Sequence, residues 1–369
     1  MKFTCSQQSL SKALNTVSKA VTTRTTIPIL KGILLETGEG LLKLAASDLD
    51  IMIEQKIPVT IQEEGSMVVS SRLFCDIVRK LPAATVEIEE TENNTVIIRC
   101  LSSEFTIVGQ SADEFPNTGR IEEERRLVFN KEIFKDMIRK TSFAASIDET
   151  KGIIIGVLMD LSRDSLTMAA LDGFRMAIAR KPMENQEENR IIISARILNE
   201  ISKIIMDADE EEDISLYYSE KKAVVISDQT RVTLRLLEGE FIKYRDILPR
   251  EYRTRLIANR GQLLSGIERA SLLAKEGKNN LVKISISEGT LLITSRSEEG
   301  NVREEVAVEQ TGDDLQIGFN SKYMLDALKA INDDEIALEF NSSVSPCLIK
   351  PVEGEAYQYL ILPVRIAGN

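Results

Sequence analysis

One pattern is written three times along these 369 residues, and a chain built that way has to fold as a row of like units. A polar residue opens an apolar-periodic helix, with lysines on its far side, at 6–21 (SQQSLSKALNTVSKAV), 130–145 (NKEIFKDMIRKTSFAA) and 259–275 (NRGQLLSGIERASLLAK). After two or three strand-like runs a second helix follows each, at 70–82, 194–206 and 320–332. The recurrence interval of about 125 residues is domain-sized, far longer than a solenoid repeat. Three like domains are predicted, divided at 1–124, 125–250 and 251–369.

Between the helices the chain reads as short, β-branched, alternating strands. GILLET, TVEIEE, TVIIRC and EFTIVGQ serve the first repeat, IIIGVLMDLS, DISLYYS and RVTLRLLEG the second, LVKISISEG, TLLITSRS and YQYLILPV the third. Two helices on largely antiparallel strands make an α+β domain, with the helices laid on one sheet face. Boundaries are expected where charge and turn residues cluster, around Glu122–Arg126 and Arg250–Thr254, and the acidic run 207–213 is expected to be a solvated loop.

Composition removes several classes of function. No run of 18 apolar residues exists to span a membrane, and MKFTCSQQSL lacks the apolar core of a signal peptide. Cys5, Cys75, Cys100 and Cys347 have no paired spacing, which points to a reducing cytoplasm and buried thiols rather than disulfides or a zinc site. With no histidine at all, the commonest general base and metal ligand are missing. No metal or cofactor is expected.

Net charge is −12, yet the six helix segments carry sixteen Lys and Arg against six Asp and Glu. One basic surface on an otherwise acidic molecule is implied. At 100° per residue, Leu10, Leu14, Val17 and Val21 share a face of the first helix while Lys12 and Lys19 lie opposite. In the second repeat Ile133, Met137 and Ala144 share one face, and Lys131, Lys135 and Arg139 point away. A domain of ~120 residues is roughly 35 Å across. Four in a closed ring would leave a hole of roughly 14 Å and six one of roughly 35 Å, so only six admit a duplex about 20 Å wide. A three-domain chain would reach six by pairing head to tail as a homodimer. Distributed cations without a cluster of base-reading side chains suit double-stranded DNA held without sequence preference.

The order and spacing of several motifs make the resemblance specific. MKFT at the start, RTTIPIL (24–30), SDLD (47–50), ADEFP (112–116), LDGFRMA (171–177), EGEFIKYRDILP (238–249), GFNSKYMLDAL (318–328) and LPVRI (362–366) together resemble the bacterial β sliding clamps, the processivity subunits of DNA polymerase III. The resemblance covers essentially the whole chain. It implies a non-catalytic, six-domain dimeric ring, with helices lining the hole and sheets outside, in the bacterial cytoplasm and at the nucleoid during replication. It implies DNA-facing cations at Arg24, Arg72, Arg79, Lys80, Arg196, Lys203, Arg269, Lys275, Lys322 and Lys329 besides the five above. It also puts Glu149 where some clamps have a polar DNA-contacting residue.

The resemblance further implies a pocket for short linear peptides of the polymerase III α subunit, the clamp loader, translesion polymerases and mismatch-repair proteins. Its walls would be Ile154, Leu171, Gly173, Phe174, Arg175 and Met176, then Ile242, Arg245, Ile247 and Leu248, and finally Tyr323, Pro346, Leu360, Leu362, Pro363 and Val364. Aliphatic walls with few polar groups suit an extended peptide with apolar anchors. Leu171 and Phe174 replace the Thr and His of many relatives, which makes the pocket greasier. LDGFR itself reads as an Asp-Gly hairpin turn. The dimer seam would set Phe105 and Ile107 against Leu272 and Leu273. Two other classes remain open to the sequence: an enzyme polarising an anionic substrate through Asp172 and Arg175, and a monomeric scaffold.

Overall fold

The computed structural model describes residues 1–22, 25–117, 125–184, 188–206 and 213–366. Arg24, the boundary stretch 118–124 and most of the acidic run (207–212) lie outside them. Within the described residues six α-helices recur in pairs: α1 Gln7–Val17 and α2 Ser71–Lys80, α3 Lys131–Thr141 and α4 Ala195–Met206, α5 Arg260–Glu276 and α6 Ser321–Ala330. Each repeat opens with one strand, continues with its first helix, runs through a set of strands to its second helix and closes with three strands. The α+β reading and its threefold order therefore hold.

The helices start where polar caps stand. The Ser6 Oγ accepts from the Ser9 amide at 3.1 Å, the Asn130 Oδ1 from Glu132 and Ile133 at 3.0 and 3.3 Å, and the Asn259 Oδ1 from Gln262 at 2.9 Å. Such a cap contributes about 1 kcal/mol by satisfying an amide the helix leaves open. In α1, Leu10, Ala13, Leu14 and Val17 are buried, and Val21 falls beyond the helix end. In α5, a Cβ on Gly266 would meet Ile293 Cδ1 at 3.2 Å, so the helix lies close on its sheet there.

The inward face of α3 corrects the sequence reading. Phe134, Met137, Ile138 and Thr141 are buried, and Lys131, at 2 % exposure, belongs to that same face because positions i, i+3 and i+7 stack. Lys131 therefore presents no cation outward. The apolar stripe is turned by one residue from the expected one because Phe134 outcompetes Ile133 for the interior. Cys5, Cys100 and Cys347 are buried free thiols and Cys75 is half-buried. Burial pushes the Cys5 thiol up to about 12, which keeps it protonated.

The strands form two antiparallel sheets in two compact units, Met1–Ile133 with Glu200–Leu236, and Phe134–Asn199 with Leu237–Asn369. In the first unit a 13-stranded sheet holds all the first repeat's strands and four of the second's; in the other a 12-stranded sheet holds the second repeat's remaining four and all of the third's. Each sheet contains one inter-repeat joint, made the same way. The last strand of the second repeat, Thr230–Arg235, pairs with Ile51–Pro58 of the first, and the last strand of the third, Tyr357–Ile361, pairs with Arg175–Pro182 of the second.

Two half-joints are left over. Ser103–Val108 of the first repeat's last strand pairs with Thr95–Cys100 on one flank, and Gly300–Ala307 of the third repeat pairs with Thr290–Ser297 on one flank. Among the described residues no strand occupies their other flanks.

Candidate partner pocket and cation faces

In the second unit the LDGFR motif is the turn between strands Ser165–Leu171 and Arg175–Pro182. Asp172 builds it: its Oδ1 accepts from the amides of Phe174 and Arg175 at 2.9 and 3.1 Å, and its own amide donates to the Arg175 carbonyl at 3.2 Å. Gly173 sits at φ +92°, a conformation that L side chains rarely adopt. The turn pushes Phe174 out to 60 % exposure, where its ring stacks on Tyr323 of α6 at 6.3 Å between centroids.

Arg175, by contrast, is buried. Its Nε meets Asp172 Oδ2 at 3.0 Å, its Nη1 meets Asp326 Oδ2 at 2.6 Å, and its guanidinium lies 4.5 Å from the Tyr323 ring centroid and 5.5 Å from that of Phe143. A guanidinium sandwiched between two carboxylates and two rings locks the turn to α6. Burial first and the Asp172 charge second raise the Tyr323 hydroxyl above its ordinary value, so it remains a proton donor at neutral pH.

Behind the turn lies an apolar floor. Leu171, Met176, Leu158, Ile178, Tyr244, Leu348 and Leu360 form one buried cluster, and Ile153, Ile154, Leu237, Phe241 and Leu248 pack against it. Met176 and Leu360 stand directly opposite on neighbouring strands. The chain end closes the wall through the backbone: Leu362 N donates to the Phe174 carbonyl at 2.9 Å and Val364 N to the Gly318 carbonyl at 2.8 Å.

The segment 238–249 is pinned by one carboxylate. Asp160, nearly buried, accepts from the Tyr244 hydroxyl at 3.0 Å, Arg190 Nε at 3.0 Å and Arg245 Nη2 at 3.1 Å. Burial, then the Asp160 charge, raises the Tyr244 pKa and keeps that hydroxyl a donor. Two clefts, of about 710 and 540 Å³, share Tyr244 and Arg245 as a common wall. Ile242 and Ile247 stand exposed beside them. The arrangement offers apolar anchoring sites next to fixed donors, which suits a peptide better than a reaction.

On the helices, Lys12, Arg72, Lys80, Lys275 and Lys322 are exposed with no ion pair among the described residues. Arg79, Lys203, Arg269 and Lys329 are exposed but paired, with Asp76, Glu200, Glu304 and Glu268. Exposed pairs of this kind hold their cations loosely, because water screens them. Lys19 and Lys135 are half-buried and Arg196 is exposed. Arg139 is committed elsewhere: its Nη1 donates to the Ala330 carbonyl at 2.8 Å, closing the C-terminal end of α6.

Comparison with known proteins decides the family. Three family models match in sequence: the DNA polymerase III β subunit N-terminal domain over residues 1–119, the central domain over 128–243 and the C-terminal domain over 245–365. The chain belongs to the bacterial β sliding clamps. It is 38 % identical to the β sliding clamp of Bacillus subtilis, covering 99 % of this chain and all of that one, and 36 % identical to that of Staphylococcus epidermidis over 99 % of both. The solved sliding clamp of Bacillus subtilis superposes with TM-score 0.94 at 37 % identity, covering 99 % of each chain. A β subunit structure from Eubacterium rectale matches at 0.94 and 35 %, covering 99 % of this chain and all of that one. This clamp is accordingly a non-catalytic processivity factor of DNA replication.

Most of the predicted pocket residues fall together in the clamp. Ile154, Leu171, Met176, Leu248 and Leu360 make the floor, Gly173, Phe174, Arg175 and Tyr323 the turn and its support, and Leu362 and Val364 the tail. Pro346, half-buried, precedes a strand paired with Tyr357–Ile361, and Pro363 is half-buried between the two tail hydrogen bonds. Sequence reasoning missed Asp160, Asp326, Tyr244 and Phe143. Asp160 had a visible signal as a lone acid inside the apolar strand IIIGVLMDLS, while Tyr244 and Asp326 lay unremarked inside EGEFIKYRDILP and GFNSKYMLDAL. The enzymatic alternative loses its chemistry, since Asp172 and Arg175 are consumed in holding a turn.

At the expected seam, Phe105 is exposed and Ile107 buried within its own sheet, while Leu272 is 65 % exposed on α5 and Leu273 half-buried. Ile107 is thus already covered, because it alternates onto the inner face of Ser103–Ser111. Glu149 is exposed.

Proposed function

We propose that two copies of this clamp close head to tail into a six-domain ring around duplex DNA, with domains near 1–124, 125–250 and 251–369. The observation that carries this reading is the inter-repeat joint made twice within the chain, with one unmatched half left in the first repeat and the complementary half in the third. A second copy completes both halves at once, and the two-fold closes the assembly. Exposed cations on helices of all three repeats would face the phosphates, attracting them without fixing a register. The floor around Leu171 and Leu360, with Phe174, the 238–249 segment and the tail, would take apolar anchors of short peptides from the polymerase III α subunit, the clamp loader, translesion polymerases and mismatch-repair proteins. Its place would be the bacterial cytoplasm, at the nucleoid during replication.

The test is topological. Clamp loaded by an ATPase loader onto a nicked circle should stay bound through a gel-filtration column and be lost once the circle is cut. Equal retention on circular and cut DNA would overturn encirclement.

A further inference from the structure

The turn that carries Phe174 joins the third and fourth strands of its repeat, and the other two repeats build a turn at the same place. In the first repeat Asp48 Oδ1 accepts from the amides of Asp50 and Ile51 at 3.0 and 2.9 Å, and its own amide donates to the Ile51 carbonyl at 3.1 Å. In the third, Ser297 stands opposite Gly300, and its Oγ accepts from the Glu299 amide at 3.2 Å. The residue that closes the turn is thus Ile51, Arg175 or Gly300. A short polar side chain at the head of the turn is common to all three, and a guanidinium at its foot is not needed to make it.

The joint with the next repeat does not need the guanidinium either. Arg235 N donates to the Asp50 carbonyl at 2.9 Å, as Leu362 N does to that of Phe174. Beside the first of these contacts Ile51 is 2 % exposed and supplies plain apolar packing. Arg175, at the same position, buries a charge, and a buried ion pair adds little net stability over apolar side chains of similar size. Nor does charge balance ask for Asp326. Asp172 already neutralises Arg175, so Asp326 brings a surplus negative charge to the trio.

We infer that Asp326 is a positioning residue for the partner peptide: acting through Arg175 and Tyr323, it holds the Phe174 ring and the chain end in the arrangement on which a peptide docks. The inference rests on the pocket proposed above and says what preforms it.

The contacts close a circuit. Asp326 Oδ2 lies 2.6 Å from Arg175 Nη1, the guanidinium lies 4.5 Å from the Tyr323 ring centroid, and the Tyr323 ring stacks on Phe174 at 6.3 Å. Phe174 precedes Arg175 in the chain, which completes the loop. Tyr323 and Asp326 stand three residues apart on α6 and so share a face. The chain end is tied on both sides of this circuit. Leu362 N donates to the Phe174 carbonyl, and Val364 N donates to that of Gly318, three residues before α6 begins. Phe174 is 60 % exposed, and an exposed ring free to turn would charge its partner the entropy of fixing it. A ring already held removes that cost from binding. The three repeats share the turn, then, and only the second adds the parts that hold a ring beside it.

The experiment titrates the whole chain into a labelled peptide of the polymerase III α subunit, read by fluorescence anisotropy, with urea unfolding of each variant alongside. Asp326→Leu leaves Arg175 paired with Asp172 and should weaken the peptide about tenfold. Asp326→Asn, which keeps the shape without the charge, takes its place should the leucine fail to fold. A double-mutant cycle with Phe174→Ala separates positioning from mere support of the fold. If Asp326 acts by holding the ring, Phe174→Ala should weaken the peptide by a smaller factor in the Asp326→Leu background than in the parent. A structural Asp326 would instead shift the urea midpoint and leave the two effects on affinity multiplying independently. Independent effects, or equal affinity of Asp326→Leu and the parent, overturn the positioning role while the pocket stands. Equal affinity of Phe174→Ala and the parent overturns the pocket assignment and this inference together.

Discussion

At the scale of single residues the pocket contains two kinds of side chain that a sequence cannot separate. Asp160 is structural: three donors converge on it, two of them from the 238–249 segment. Asp160→Asn keeps the shape but weakens acceptance from both guanidinium groups, and should lower stability by about 1–3 kcal/mol in urea unfolding. Because Tyr244 and Arg245 then lose their anchor, affinity for a polymerase-derived peptide should fall as well. Phe174 is the opposite case, an exposed ring leaning on Tyr323. Phe174→Ala should leave unfolding within about 0.5 kcal/mol of the parent, as exposed sites do, while weakening the peptide in calorimetry. A large stability loss in that variant would mean that the ring belongs to the core and not to the pocket. Asp160 was illegible in the sequence as a hub because its partners lie 30, 84 and 85 residues away.

At the scale of elements, the signal was strongest where it was local. Caps at Ser6, Asn130 and Asn259 and a 3.6-residue apolar stripe made the helices readable three times over, and alternation made the strands readable. The failure at Lys131 shows the limit of that signal. Near a helix start two adjacent apolar residues, Ile133 and Phe134, compete for one inward position, and only the surrounding core decides between them. Strand partners across repeats were equally hidden, since pairing Thr230–Arg235 with Ile51–Pro58 depends on contacts far apart in the chain. The tail was legible through LPVRI alone, yet what holds it is two backbone hydrogen bonds that any sequence could make. Removing residues 362–366 should abolish peptide binding while the dimer survives, checked by calorimetry and sizing on the same sample. Unchanged affinity would place the pocket elsewhere.

At the scale of the molecule, a net charge of −12 goes with helix segments that carry sixteen Lys and Arg against six Asp and Glu. The proposed ring should run at roughly twice 41.2 kDa in solution, and small-angle scattering should require a central hole. A solid particle of that mass would exclude encirclement. The way the sheets cross from one repeat into the next carries a last consequence. A repeat excised at its sequence boundaries would come away with a bare strand flank, along Ile51–Pro58 in one case and Arg175–Pro182 in another. Such a fragment is adhesive by construction and should clump rather than stand alone. The chain is modular in its script and inseparable in its body.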